Sequence, residues 1–479
     1  MIFASLPGQD LHTMRQSNCS FYVSRMIASL LLIMPCMAAA QTEPTEQEES
    51  SPNDPASEDG SDLEPSSLDE EKKSVFDRFS SNGQALLYLT EFDRQPASDL
   101  NPGNVFARIP DQQVNAELRI DVSLDADACD GKVRLRGRHV TYTESAGLSE
   151  PERATEVFVN SGVFRCALGA RAFASVGREV LMWGSGFYAS PSNPFYFDTG
   201  KTDPVRELYG KDNYQIGGYI NPNLTVTLVR NFRDGRLQPD KANYVPTTAL
   251  KMDWVGDVTS GGIVASRTDD GVTRIGGYGT LIFSKAVLLY ADAAYGRGLR
   301  GWYPTTGGSS LDWRLERRKL DRSNSAYTAL IGGAYTFESG WTGTVEFLTG
   351  NEGYDRSERK AYEAAVSQAA TVFMAGGAGS AEAAQLLGTA LAPGLPYLGS
   401  DVAFIQMSRN EWNDKGDLAV RWTQSLSSGS GGTFSFSADY YLTGSVQAFA
   451  LGAFNTGGER SDFGQLLRYS VLAGIRVYF

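Results

Sequence analysis

From Gln84 to Phe479 the chain is a succession of segments, each about ten residues long, in which apolar side chains alternate with small or polar ones. Val114, Ala116, Leu118, Ile120, Val122 and Leu124 form one face of such a segment. Asn115, Glu117, Arg119, Asp121 and Ser123 form the other. Successive side chains of a strand point to opposite faces, so each segment has one apolar and one polar side. Helical periodicity is largely absent, and no soluble β-sandwich needs so many such segments in series. The pattern predicts an all-β chain, a transmembrane antiparallel up-and-down β-barrel with lipid outside and water inside. A bundle of transmembrane helices is excluded by a mean hydropathy of −0.26.

Sixteen strands are expected, within a range of 14–18: 84–92, 114–125, 131–142, 155–166, 170–183, 211–220, 223–231, 246–255, 259–267, 271–283, 285–297, 323–337, 341–351, 409–425, 432–452 and 465–479. The gaps between them alternate in length, as short periplasmic turns and long extracellular loops do. The short set is Ala126–Asp130, Ala167–Gly169, Asn221–Pro222, Gly256–Val258, Ser284, Glu338–Gly340 and Leu426–Gly431. The other set includes 93–113, 184–210, 232–245, 298–322 and 352–408, with Thr268–Asp270 as a tight exception and 143–154 as a moderate one. In the longest gap, Arg356–Ala375 and Ser380–Ala392 read as helices, broken by Gly376, Gly377 and Pro393. That gap either enters the pore and narrows it or caps it from outside.

The last segment ends on an aromatic residue. Leu467, Tyr469, Val471, Ala473, Ile475, Val477 and Phe479 alternate with Arg468, Ser470, Leu472, Gly474, Arg476 and Tyr478. This resembles the C-terminal signal of bacterial outer-membrane β-barrels. Tyr469, Val471, Ile475, Val477 and Phe479 then stand as the assembly signal, and the resemblance implies the barrel-assembly machinery as a partner.

The N-terminus fits export. Arg15 and Arg25 precede an apolar run from Met26 to Met34, followed by Pro35 and by Ala38, Ala39, Ala40 and Gln41. A basic region, a short apolar region and an A-x-A site describe a secretory signal peptide over 1–40. The run is too short for a membrane-spanning helix. Residues 41–75 hold twelve acids against Lys72 and Lys73, a composition that stays disordered. This acidic tail would hang in the periplasm, and the barrel would occupy 76–479. Most of the chain's net charge of −13 lies in the tail, and that sign speaks against nucleic acid as a partner. A plug domain has no room before the first strand.

Parity then assigns the lumen. If the apolar faces meet lipid, the interior receives Glu117, Arg119, Asp121, Arg134, Arg136, Arg138, Lys251, Asp253, Arg274, Asp292, Glu346, Arg421, Asp439, Arg468 and Arg476. An arginine at the lipid midplane costs about 2–4 kcal/mol, which constrains this parity. Closure of the last strand on the first brings Arg468 and Arg476 toward Arg119, Arg134, Arg136 and Arg138. Asp292, Glu346 and Asp439 would oppose that basic wall, which sets a field across a constriction with a mild preference for anions. The bland reading is that these charges line water and pair with each other. Small hydrophilic solutes and outer-membrane lipid are the remaining expected partners.

Gly177, Arg178, Glu179, Val180, Leu181, Met182, Trp183 and Gly184 are followed by Ser192, Asn193 and Pro194. This resembles the Gly-Arg-Gln-x-x-x-Trp-Gly strand and Asn-Pro loop of porin-like outer-membrane families, including alginate-export-type channels. Glu179 replaces the usual Gln. The resemblance covers roughly strands two to six and implies a passive channel for an organic or sugar-derived solute. Strict alternation would put Arg178 or Glu179 toward lipid unless Gly177 carries a bulge.

Cys129 and Cys166 fall at neighbouring periplasmic turns in an oxidising compartment, and a disulfide is expected. No metal or cofactor is expected. Gly200, Lys201 and Thr202 mimic the end of a P-loop, but Phe195 stands where its first Gly belongs. Asp125, Asp127 and Asp130 hint at a calcium loop, with Arg136 in place of the closing Glu. A hydrolase needs a base beside a nucleophile, and His139 is the one histidine after the leader. No enzyme is expected. A surface barrel that displays loops to a partner is the competing reading.

Overall fold

The computed structural model describes residues 78–142, 153–235, 244–299, 301–307, 311–318, 325–395, 397–427, 429 and 431–479. The expected leader and acidic tail lie outside the described residues.

Eleven strands come first: β1 (Phe79–Arg94), β2 (Gln112–Ala126), β3 (Cys129–Tyr142), β4 (Arg153–Ala167), β5 (Ala172–Glu179), β6 (Lys211–Asn221), β7 (Leu224–Arg233), β8 (Thr247–Val255), β9 (Thr259–Thr268), β10 (Thr273–Ile282) and β11 (Val287–Arg297). A small separate hairpin, β12 (Trp302–Thr306) and β13 (Trp313–Arg317), interrupts the series. The series resumes with β14 (Ser325–Thr336), β15 (Trp341–Gly350), β16 (Asp401–Trp412), β17 (Gly416–Ser425), β18 (Gly431–Tyr441), β19 (Val446–Asn455) and β20 (Leu467–Tyr478). Helices α1 (Arg356–Ala375) and α2 (Ser380–Leu391) fall between β15 and β16.

Each strand of the main sheet pairs antiparallel with its neighbours, and β1 pairs with both β2 and β20. Leu86 faces Glu117 on one side and Arg476 on the other. The sheet is therefore a closed barrel of 18 strands, not 16. The two extra strands come from two segments expected to be continuous. The segment 409–425 turns at 413–415 between β16 and β17, and 432–452 turns at 442–445 between β18 and β19. As a result Leu426–Gly431 belongs to the end opposite the one expected for it. The longest connection covers 351–400, because β16 already starts at Asp401.

Alternation is visible side by side along each strand. On β2, Leu118 is 42% exposed outward while Arg119 is 5% exposed. On β14, Ile331 is 64% exposed and Leu330 2%. Outward residues such as Val157, Ile216, Leu250, Ile275, Val345 and Ile405 make the outer wall apolar. No helix among the described residues is long and apolar enough to cross a membrane.

In the connection 351–400 the two helices pack on each other. Asp355 caps α1 by accepting from the Ser357 and Glu358 amides, while Glu358 accepts from the Asp355 amide. This reciprocal box satisfies donors the first turn leaves open. Tyr362, Ala365, Val366 and Ala369 recur at helical spacing. They pack on Ala383, Leu386, Leu387 and Ala390 of α2 and on Leu100, Leu299, Tyr303 and Leu311 from two other connections at the same end. The helical part of this segment packs with neighbouring connections, while Tyr397 farther along it stacks on Tyr188.

Candidate functional site in the barrel lumen

The segment that enters the barrel is 180–210, between β5 and β6, and the Gly177–Gly184 motif builds its start. Gly177 has φ 147°, and a Cβ there would lie 2.0 Å from the Gly162 carbonyl oxygen. Its neighbours keep alternating. Glu179 accepts a 2.6 Å hydrogen bond from Gln215 Nε2, beside Arg165. Arg178 pairs with Asp212, Nε to Oδ1 2.7 Å, and donates to the Val159 carbonyl. The charge that alternation sends to the other face is thus neutralised by an adjacent strand. Asn193 of the Asn-Pro loop donates to the Leu181 carbonyl and accepts from the Phe195 and Tyr196 amides. The motif's polar side chains therefore organise backbone.

Two buried acids pin this loop. Asp292 on β11 accepts from the Ser192 amide at 2.7 Å, the Ser185 amide at 3.3 Å and the Ser190 hydroxyl at 3.0 Å. Glu346 on β15 accepts from the Phe187 and Tyr188 amides at 2.5 and 2.8 Å and from the Tyr290 hydroxyl at 2.7 Å. Both carboxylates are 1% exposed. They were expected to line water opposite the arginines. Instead the loop covers them, because two free-standing carboxylates satisfy several loop amides at once.

Phe187 and Tyr188 stack on Phe404 of β16, and Tyr188 on Tyr397. Burial pushes the Tyr188 hydroxyl up to about 12 and that of Tyr397 well above its ordinary value, so both rings stay neutral where they pack. Farther along, Val205 packs on Leu86, Tyr88 and Phe449 of the facing wall. The loop thus touches β11, β15 and β16 with one half and β1 and β19 with the other.

Its end meets the arginine wall. Register sets Arg119 opposite Arg136, Glu117 opposite Arg138 and Asp121 opposite Arg134. Arg134 grips Asp121 with two bonds of 2.6 and 2.5 Å. Glu117 takes Arg119 at 3.0 Å and the Tyr88 hydroxyl at 2.9 Å, with Arg138 at 3.6 Å and Arg136 at 3.8 Å. Glu207, from the loop, reaches Arg119 at 3.2 Å, Arg134 at 3.6 Å and Arg136, and accepts from Asn160 Nδ2 at 3.2 Å. Glu207 was not anticipated, since its partners are far away in sequence and loop acids carry no periodic signal. Arg119 and Arg136 are covered, while the Arg134 and Arg138 side chains are 34% and 29% exposed.

The remaining expected residues are dispersed. Arg421 is buried on Gln406 and the Ser437 hydroxyl. Arg476 is level with Glu117 across β1 but bonds Gln447 and Tyr478 and lies over the Phe449 ring. Asp439 keeps one buried oxygen without a hydrogen-bond partner. Arg468 is absent from the wall: it sits at the long-loop end, exposed, paired with Asp93 at 2.7 Å. Cys129 and Cys166 are joined by a disulfide, directly opposite one another on β3 and β4. On β20, Ile475 is outward and exposed, and Phe479 follows the strand and is exposed.

No family model matches the sequence, and no curated protein does. Solved structures that resemble it include a Rhodopseudomonas blastica porin triple mutant at 13% identity and TM-score 0.38, covering 84% of this chain and 100% of that one. Acinetobacter baumannii OccAB3 has 11% identity and TM-score 0.46 over 84% of this chain and 99% of its own. Pseudomonas aeruginosa OprD has 10% identity and TM-score 0.46 over 84% and 95%. The closed barrel rests on its own strand pairing, independently of these likenesses.

Proposed function

We propose that the chain is an outer-membrane, porin-like channel that passes small hydrophilic solutes by diffusion, with a preference for anions. The observation that carries this reading is the opposition of the two faces of one closed wall. Leu118 and Ile331 point outward into an apolar belt, while Glu117, Arg119 and Arg136 point inward. Only a closed barrel satisfies every strand's backbone groups in lipid, and charges turned inward belong to a wet interior. The loop held by Asp292 and Glu346 narrows that interior. Arg134 and Arg138 remain reachable beside it and give the constriction its positive side.

In this reading the short turns and the acidic tail face the periplasm, the α1–α2 cap faces outward, and β20 presents Tyr469, Val471, Ile475, Val477 and Phe479 to the assembly machinery. The resemblance of the Gly177–Gly184 motif to that of porin-like families, alginate-export-type channels among them, supports this reading. Liposome swelling with sugars and organic acids of graded size tests the proposal: swelling should fall with solute size and favour acids over neutral solutes of equal bulk. Liposomes that do not swell with any of them would refute it. The apolar core inside the cap favours one competitor, a barrel that displays this cap to a partner. That barrel would bind its partner yet show no conductance.

A further inference from the structure

We propose that Glu207 is a tethered occupant of a carboxylate seat, and that a solute carboxylate enters the constriction by taking its place. The inference rests on the channel reading only for the route by which the solute arrives.

The seat follows from strand register. Directly opposite like charges on neighbouring strands repel, and Arg119 faces Arg136 on β2 and β3. Both side chains are more than nine-tenths buried, so water screens them poorly. Glu117 bridges the pair from one side. Glu207 bridges it from the other, with one oxygen on Arg119 and Arg134 and the second on Arg136 and Asn160. Three guanidiniums and an amide converging on two oxygens suit a planar carboxylate.

Two features separate Glu207 from a fixed structural partner. Glu117 and Asp121 are carried by a strand, whereas Glu207 hangs from the irregular segment 180–210. The seat also holds more donors than Glu207 uses: Arg136 Nε is buried with no hydrogen-bond partner. The backbone around Glu207 is held separately, by Val205 O on Arg119 Nη2 at 2.8 Å and by Leu208 O on Asn160 at 3.3 Å. Exchange therefore requires only that the Glu207 side chain swing away. Four strand-borne arginines against Glu117 and Asp121 leave this wall positive whenever Glu207 is displaced.

A tethered group competes at an effective concentration of about millimolar or more, so the native seat should bind free carboxylates weakly. The test is calorimetric titration of the purified full chain in detergent with acetate, acetamide and inorganic phosphate. Glu207→Gln should bind acetate at least tenfold more tightly than the native chain, with acetamide unmoved. Glu207→Asp, shorter by one methylene, should fall between them and covers the case in which the Gln variant does not fold. Equal acetate affinity in native and variant barrels would overturn the proposal. So would phosphate binding the Gln variant as tightly as acetate, because the seat would then not select a two-oxygen planar group. Calorimetry reads no transport. Tighter acetate binding without liposome swelling would leave the seat and remove the channel, and swelling with unchanged acetate binding would do the reverse.

Discussion

The Ser192 amide donates to Asp292 Oδ1 at 2.7 Å across a hundred residues of chain. Through this bond a strand at one wall holds a loop rooted elsewhere. Asp292→Ala removes the acceptor for three loop donors, each contributing about 1.5–3 kcal/mol as a hydrogen bond to a charged group. Single-channel conductance in planar bilayers should rise and broaden in distribution, and Asp292→Asn should show a smaller change. Unchanged conductance in the Ala variant would mean that the loop is held without Asp292.

Gly184 sits at φ 96°, and a Cβ there would fall 1.9 Å from Ser190 Oγ and 2.2 Å from Asp292 Oδ2. Gly184→Ala should cost about 1–3 kcal/mol through backbone strain, with further loss from the steric clash. Gly444→Ala, with nothing within 4 Å of its Cβ, is the control and should stay within about 0.5 kcal/mol of native. Urea unfolding of the detergent-solubilised barrel measures both.

Replacing Arg134, Arg136 and Arg138 together by Ser removes both reachable arginines of the basic wall and one covered one. Anion-over-cation permeability should drop severalfold, since the focused field comes from those charges. A reversal potential that does not move under a salt gradient would defeat the assignment.

The disulfide joins residues 37 apart in sequence. Crosslinks of this span stabilise by roughly 3–4 kcal/mol through the unfolded chain. Cys129→Ser paired with Cys166→Ser should lower the unfolding midpoint, and added reductant should have no further effect on that variant. A variant as stable as the oxidised native barrel would show that strand pairing alone secures this corner.

Arg359 of α1 is 3% exposed and donates to Asp462 and to the Arg460 carbonyl, at 2.5 Å each. Arg359→Ala leaves Asp462 buried without its cation, a loss of about 3–5 kcal/mol. The cap should become sensitive to protease while the barrel stays resistant. Limited proteolysis followed by mass measurement of the fragments checks this.

Period-two alternation made the barrel legible, because lipid and water act on every strand residue. It failed at two hairpins, 413–415 and 442–445, where the pattern runs through the turn almost without a break. The marks were there: Asn413 and Asp414 take φ 53° and 59°, a conformation these side chains tolerate. A strand of such length also exceeds the 9–11 residues a membrane needs. The helix Arg356–Ala375 was readable at both ends because its cap and its Gly376 stop are local. The inward loop was not. Its anchors, Asp292 and Glu346, lie a hundred residues or more away, and alternation says only that they point inward. Whether they then meet water or backbone depends on contacts that no local pattern records.

The seam between β1 and β20 joins opposite ends of the described chain. Until β20 docks, β1 and β19 carry bare rows of donors and acceptors, each able to recruit a stranger. In the finished barrel each other strand pairs only with its neighbours in order. Closure of the ring therefore requires β20. A chain cut short there has two adhesive borders, where a chain shortened in a surface loop still has none.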